Sequence, residues 1–178
     1  MSLKHVILVV LKDQPASGYE LNQVFAGELG LFWNTSHQAV YRALASMDKE
    51  GLVGFVVYEQ SGKPDKKTYQ ITSQGEQVLQ QWLSELQPPM QINEDIMVKF
   101  FAGNLMANDA LLKQVQAHYL VHKKKLQGYQ GTEKHILYNE KLNADQKVQF
   151  MTLRRGILME QARLDWCVEA IAVLSQSS

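Results

Sequence analysis

Five polar residues whose side chains can hydrogen-bond to nucleic acid are spaced so that they share one face of a helix. These residues are Ser36, His37, Gln38, Tyr41 and Arg42, and residues three and four apart are neighbours on a helical surface. Glutamine can pair with N6 and N7 of adenine, and arginine with O6 and N7 of guanine. The serine, histidine and tyrosine side chains can donate to phosphates or base edges. The pattern predicts a face that contacts DNA, although an ordinary solvated helix face has a similar composition.

Three lysines form a second candidate group. Lys63, Lys66 and Lys67 fall within five positions and are three of only seven basic residues among the first 87. Neutralising phosphates releases condensed counterions and supplies much of the sequence-independent affinity for DNA, so a basic hairpin tip suits backbone contact. Asp65 lies inside the cluster and weakens its field. The alternative interpretation is a turn that the lysines keep soluble.

The helical pattern before these groups predicts the elements that position them. Apolar residues recur at helical spacing in residues 3–12, and Ser17 can cap a second helix that ends near Gly27. Residues 35–38 have the form of a capping box, with the Thr35 hydroxyl as the cap. We expect a third helix to start there and to carry the polar face described above.

A hairpin and a fourth helix are predicted next. Residues 52–58 are rich in β-branched and aromatic side chains, and residues 67–71 alternate with period two on the far side of a turn-rich segment. A second capping box at residues 73–76, beginning with Ser73, opens the fourth helix. This order of elements is that of a winged helix-turn-helix, in which the third helix enters the major groove and the hairpin touches the flanking backbone.

Pro88 and Pro89 predict a domain boundary, because proline cannot continue a helix and restricts the residue before it. We expect a winged helix-turn-helix DNA-binding domain in residues 1–87 and a helical dimerisation domain in residues 91–178. The predicted fold class is mainly α with a small β-hairpin, and the C-terminal helices are coiled-coil-like.

Two long helices with apolar stripes are expected in the second domain, one starting at residues 108–109 and one covering about residues 145–174. The latter would be roughly 45 Å long, more than a small domain covers from one side. A second copy of the chain is the simplest partner for these stripes, so we predict a homodimer.

The composition indicates a folded cytoplasmic protein without a membrane partner. The chain has 178 residues, of which 46% are apolar and 20% charged, with a formal net charge of zero. This balance disfavours both a disordered chain and a protein held to nucleic acid by bulk positive charge. The apolar run near the start is too short for a signal peptide, and no apolar window is long enough to span a bilayer. The single cysteine, Cys167, cannot form an internal disulfide.

We expect no catalytic residue, cofactor or metal. His118 and His122 have the i, i+4 spacing of a chelating pair, but no nearby carboxylate or cysteine completes a site, and packing or surface positions are favoured. Cys167 lies in an apolar stripe and is expected in the core. An enzyme, including a metal-dependent hydrolase, is therefore disfavoured. The other alternative to DNA binding is a small-molecule-sensing or protein-interaction module with its ligand at the dimer interface.

Several short motifs in the N-terminal part are typical of one family. They are Gly18-Tyr19-Glu20-Leu21, Trp33, Val40-Tyr41-Arg42-Ala43-Leu44, Lys49-Glu50-Gly51-Leu52-Val53, and residues 62–72 running into Gly75. With these motifs the chain resembles the PadR family of bacterial transcriptional regulators. The resemblance implies a homodimer that binds double-stranded DNA at a palindromic or near-palindromic operator, with Tyr41 on the recognition helix and the three lysines on the wing. Some relatives sense phenolic acids or drugs, so a small-molecule effector is a further implied partner.

Overall fold

The protein is represented by a computed structural model that describes residues 3–31, 33–59, 62, 65–89, 93–139 and 141–176. The chain forms two compact units, Met1–Pro89 and Met90–Ser178. Within the described ranges, none of the helices combines the length and the hydrophobicity needed to cross a membrane.

The N-terminal unit, so far as it is described, combines four α-helices with a small antiparallel sheet. Its elements in chain order are α1 (Leu3–Asp13), β1 (Ala16–Ser17), α2 (Gly18–Ala26), a 3₁₀ turn (Glu28–Leu31), α3 (His37–Lys49), β2 (Val53–Tyr58), β3 (Lys66–Ile71) and α4 (Ser73–Ser84). The predicted hairpin is present as β2 and β3, in a register that pairs Val53 with Ile71 and Tyr58 with Lys66. The strand β1, which was not predicted, pairs with the other edge of β3, so the strand order is β1-β3-β2.

Helical periodicity accounts for the core of this unit. The α1 stripe buries Ile7 and Leu11, and α3 buries Val40, Leu44 and Met47. These side chains are at most 2% exposed, and each fully buried aliphatic side chain contributes roughly 1.5–3 kcal/mol of transfer free energy. The core therefore fixes which face of α3 remains outside.

Two of the predicted helix caps are wrong by one residue. The cap of α3 is Ser36, not Thr35, and its hydroxyl accepts a hydrogen bond from the Ala39 amide at 3.2 Å. The cap of α4 is Thr72, not Ser73, and it accepts from the Gly75 amide at 3.0 Å. The Thr72 hydroxyl also donates to the Gly51 carbonyl at 2.7 Å, which connects the start of α4 to the end of α3.

All the regular secondary structure in the described residues of the C-terminal unit is helical. It consists of α5 (Asp95–Phe101), a 3₁₀ turn (Gly103–Leu105), α6 (Asn108–Asn139) and α7 (Ala144–Gln176), and α6 packs against α7. The 33 residues of α7 correspond to a length of about 50 Å. One buried cluster joins the three helices through residues that include Ile96, Val115 and Cys167. Cys167 is 1% exposed, as expected for a core residue.

Candidate nucleic-acid interface

The structure places the five polar residues predicted for DNA contact together at the start of α3. Ser36, His37, Gln38, Tyr41 and Arg42 are all exposed, whereas the opposite face of the same helix is buried in the core. The exposed set occupies the cap and the first turn and a half of the helix. The partial positive charge of a helix N-terminus favours phosphate at such a position. This surface, which we call the α3 face, can donate hydrogen bonds both to phosphates and to base edges.

Tyr41 is held on the α3 face by contact with α2. A Cβ atom added at Gly18, the first residue of α2, would overlap the Tyr41 ring. The tyrosine is nevertheless 51% exposed, so one side of its ring lies on Gly18 and the other side is open to solvent. Sequence reasoning identified Tyr41 but not the role of Gly18 in positioning it.

The three lysines predicted for the wing differ in their surroundings. Lys67 is exposed, and its Nζ lies 4.3 Å from the centre of the Phe55 ring. Lys66 is partly exposed and forms an ion pair with Glu20, with 2.8 Å between Nζ and Oε1. Lys63 lies outside the described residues. The prediction treated the lysines as one group, whereas the structure separates Lys66 from Lys67.

Glu20 connects three hydrogen-bond donors at the start of α2. Its Oε2 accepts from the Ser17 amide and the Ser17 hydroxyl, each at 2.7 Å, and its Oε1 accepts from Lys66. The Glu20 amide donates to the Ser17 hydroxyl oxygen at 3.3 Å, which completes a capping box. The hydrogen bond from Lys66, followed by those from Ser17, lowers the pKa of Glu20 from its ordinary 4.5 to about 2. Glu20 therefore remains ionised across the physiological range.

Ion pairs remove part of the positive charge of the N-terminal unit. Lys4 pairs with Glu50 at 3.2 Å and Lys12 with Glu76 at 2.6 Å, in addition to the pair made by Lys66. Arg42, Lys49 and Lys67 make no ion pair with any residue in the described part of the chain. The first 87 residues carry seven basic and nine acidic residues, a net charge of −2. The unpaired cations therefore decide where the surface attracts an anion.

A polar cluster inside the C-terminal unit includes one of the two histidines at chelating spacing. His122 Nδ1 lies 2.6 Å from Oε2 of Glu160, and Arg163 donates to Glu160 at 2.9 Å and to Glu94 at 3.0 Å. Glu160 is 4% exposed. Burial alone would lower the pKa of Arg163. The hydrogen bonds and negative charges of the two carboxylates outweigh this effect, so its pKa is raised. This cluster joins α6, α7 and the residue before α5.

His118 contacts His122 with 6.0 Å between ring centres. No group of three or more potential ligands among histidine, cysteine, aspartate and glutamate is found in the described residues. His118 and His122 therefore pack against each other, and His122 also has the Glu160 carboxylate as a partner. Sequence reasoning missed this carboxylate because it lies 38 positions away.

The α3 face, the β2–β3 hairpin and the core shared by the four helices define the N-terminal unit as a winged helix-turn-helix, and a helical unit follows it. This confirms the predicted fold class. Residues 7–81 match the family described as "Transcriptional regulator PadR-like family", and residues 92–175 match "Virulence activator alpha C-term". The chain belongs to the PadR-like family of transcriptional regulators, as its motifs indicated.

Full-length relatives support this assignment. The "Probable transcriptional regulator Rv1176c" of Mycobacterium tuberculosis is 34% identical and is aligned over 99% of each chain. The crystal structure of Bacillus subtilis PadR in complex with operator DNA is 27% identical, covers 97% of this chain and 98% of its own, and has a TM-score of 0.82. The Vibrio cholerae virulence activator AphA is 29% identical, covers 99% of this chain and 100% of its own, and also has a TM-score of 0.82.

Proposed function

We propose that this protein regulates transcription as a homodimer that binds double-stranded DNA at a palindromic or near-palindromic operator. The observation that carries the proposal is the α3 face, an exposed hydrogen-bonding surface on a helix whose other side is locked into the core. The solved complex of Bacillus subtilis PadR with operator DNA supports it. In this proposal residues 1–87 bind DNA and residues 91–178 form the dimer.

Each residue of the α3 face has a proposed role. Gln38 and Arg42 hydrogen-bond to base edges in the major groove, and Ser36, His37 and Tyr41 donate to phosphates or base edges. The Ser36 hydroxyl oxygen accepts from the Ala39 amide, which leaves its hydrogen to donate to a phosphate.

The wing supplies flanking backbone contacts in this proposal. Lys67 is exposed without an ion-pair partner in the described part of the chain, and we assign phosphate contact to it and to Lys63. Lys66 carries the same charge but is paired with Glu20, so we assign no phosphate contact to it.

Exposed apolar residues on the long helices support dimerisation through the C-terminal unit. More than half of each side chain is exposed in Leu120, Val121 and Leu137 of α6 and in Val148, Met151, Leu158, Val168 and Val173 of α7. A second copy of the chain would cover such surfaces. A two-fold dimer presents two copies of α3 to half-sites one helical turn, about 34 Å, apart.

Transcriptional regulation by this route needs no catalytic residue, cofactor or metal ion, and none is proposed. It also requires access to the chromosome, so we propose that the protein acts in the bacterial cytoplasm.

Selection of bound sequences from a random DNA library tests the proposed function directly. Gel filtration of the free protein is run alongside to measure its oligomeric state. The expected result is a dimer that enriches a motif with dyad symmetry. A protein that enriches no sequence even at low salt would contradict the proposal, because low salt favours every phosphate contact.

The second candidate function is ligand sensing. A groove of about 680 Å³ in the C-terminal unit is lined by residues including Glu94, Lys99, Gln114, His118 and His122, and its volume is in the range of small-molecule sites. Bacillus subtilis PadR has also been solved in complex with p-coumaric acid. Calorimetric titration with p-coumaric acid tests this function, and binding that is lost in a His118→Ala variant would support the groove as the site.

A further inference from the structure

Lys66, on strand β3 of the wing, forms an ion pair with the Glu20 carboxylate of α2. Its Nζ donates to Glu20 Oε1, while Glu20 Oε2 accepts from both donors of Ser17. Ser17 is itself 5% exposed and pairs with Thr68 in the β1–β3 ladder. Strand β3 of the wing is therefore joined to the start of α2 in two ways, by its pairing with β1 and by the Lys66–Glu20 ion pair at its tip end.

The neighbouring lysine points the other way. Successive side chains alternate between the two faces of a strand, and Lys67 lies over Phe55 without a carboxylate partner in the described residues, whereas Lys66 faces Glu20. A phosphate brought to Lys66 would approach the Glu20 carboxylate, which is ionised at neutral pH and whose hydrogen bonds lower its pKa further. Like charges at such short range repel. Of these two lysines, only Lys67 has the surroundings of a phosphate contact.

The first turn of α2 also supports the α3 face. Gly18, which directly follows Ser17, lies against the Tyr41 ring. The segment from Ser17 to Glu20 therefore contacts the wing through Lys66 and the recognition helix through Tyr41. A change in either contact would alter the spacing between the two DNA-binding elements.

We propose that Lys66 is a positioning residue that holds the wing strand against the start of α2 through Glu20, and that it is not itself a DNA contact. The ion pair thereby fixes the wing relative to the α3 face, and phosphate contact at this part of the wing is made by Lys67. This inference rests on the proposed function, since it assigns a role within DNA binding.

Salt-dependent binding separates positioning from contact. Full-length K66A, E20Q, K66R, K67A and the K66A/E20Q double variant are titrated onto the selected operator at several salt concentrations. Glutamine can still accept from Ser17 in a capping box, so E20Q removes the charge that faces Lys66 and keeps the cap. The salt slope is the change in log affinity with log salt concentration. Substituting a residue that contacts a phosphate lowers this slope by about 0.9, whereas substituting a positioning residue changes the affinity and leaves the slope as it was.

The expected results distinguish the two lysines. K66A and E20Q each weaken operator binding about two- to fivefold, the range of a partly exposed ion pair, and leave the salt slope unchanged. The double variant is no weaker than either single variant, because both remove the same interaction. K66R keeps the positive charge that faces Glu20 and is expected to bind like the wild type. K67A is expected to lower the salt slope. Tighter binding by E20Q, or a slope lowered by K66A as by K67A, would overturn the inference by making Lys66 a phosphate contact.

Hydrogen exchange in the free protein distinguishes failure of this inference from failure of the proposed function. K66A and E20Q are expected to expose the amides of the β1–β3 ladder to faster exchange, and K67A is not. If the wild-type protein selects no operator but shows this exchange pattern, the proposed function fails and the Lys66–Glu20 positioning remains. If exchange is unchanged in K66A and E20Q, the positioning role is wrong whatever the DNA result.

Discussion

The ring of Tyr41 lies so close to Gly18, the first residue of α2, that any larger residue at position 18 would have to displace the ring. Tyr41 is on the α3 face and half-exposed. The two helices of the helix-turn-helix are therefore in direct contact at a residue proposed to touch DNA. The position of the Tyr41 side chain on α3 therefore depends on the backbone of α2 at Gly18.

Gly18→Ala is expected to displace the Tyr41 ring and to weaken operator binding. In a Tyr41→Ala background the same substitution should have little further effect, because there is no ring to displace. A double-mutant cycle on binding measures the difference, and a coupling of about 1 kcal/mol is expected for residues in contact. Gly54→Ala is a matched control, since a Cβ there meets nothing within 4 Å. Additive effects of the Gly18 and Tyr41 substitutions would show that the contact does not matter for binding.

Arg42→Ala is expected to relax specificity at one base position in each half-site, by about 1–3 kcal/mol of discrimination. Arg42 is exposed and forms no ion pair with a described residue, so its guanidinium is available to a base. Selected-library binding compared between wild type and variant measures the change. Lys49→Ala, an exposed cation on the last turn of the same helix, is the control and should leave the preferred sequence unchanged. A uniform loss of affinity for all sequences in R42A would assign Arg42 to the phosphate backbone.

Glu20 is expected to make folding stability depend on pH in acid. Its pKa is about 2 in the folded protein and 4.5 when unperturbed, so the unfolded state takes up a proton first as pH falls. The stabilisation by Glu20 is therefore complete above about pH 4.5 and is lost as pH falls toward 2. Because Glu20 and Lys66 are partly exposed, its size is about 1 kcal/mol or less.

Denaturation of wild type and E20Q over this pH range measures the effect. The two proteins should differ most in unfolding free energy above pH 4.5 and converge near pH 2. K66A should weaken this dependence without abolishing it, since the Lys66 hydrogen bond is the largest cause of the lowered pKa and the Ser17 hydrogen bonds remain. A difference between wild type and E20Q that stays constant with pH would contradict this account.

Glu160→Ala is expected to lower the unfolding free energy by about 1–3 kcal/mol, because it leaves the largely buried His122 without its hydrogen-bond partner, whereas Arg163 keeps its pair with Glu94. Glu160 is 4% exposed and bonds to both His122 and Arg163. Chemical denaturation at a fixed protein concentration measures the loss, since the proposed dimerisation would make stability concentration-dependent. Glu169→Ala removes an exposed carboxylate from the same helix and should change stability by about 0.5 kcal/mol or less. Equal effects of the two substitutions would show that the buried cluster is not stabilising.

Periodicity in the sequence was enough to predict the helices, the hairpin and the α3 face, because these features depend on residues that are close along the chain. The two wrong caps have a local cause. Thr35 and Ser36 are adjacent, as are Thr72 and Ser73, and either hydroxyl of each pair suits a cap. The choice is made by contacts that the pattern does not contain, such as the hydrogen bond from Thr72 to Gly51.

The features that sequence reasoning missed depend on contacts between distant residues. The strand β1 has only two residues, too few to show an alternating pattern. Glu20 and Lys66 are 46 positions apart, so nothing in the spacing of the lysines distinguished Lys66 from Lys67. The cluster around Glu160 likewise joins residues that no local motif connects.

The burial of Cys167 has a practical consequence. It is the single thiol in the sequence, it is 1% exposed, and burial raises its pKa above the ordinary value of 9.0, with Glu94 adding to the effect. A thiolate is the reactive form, so a thiol-specific dye can label the native protein only when the packing around α7 opens. The labelling rate of the native sequence would therefore record how often its helical unit opens, and no cysteine would have to be introduced. The same rate, measured with DNA or at higher protein concentration, would show whether DNA or a second subunit slows that opening.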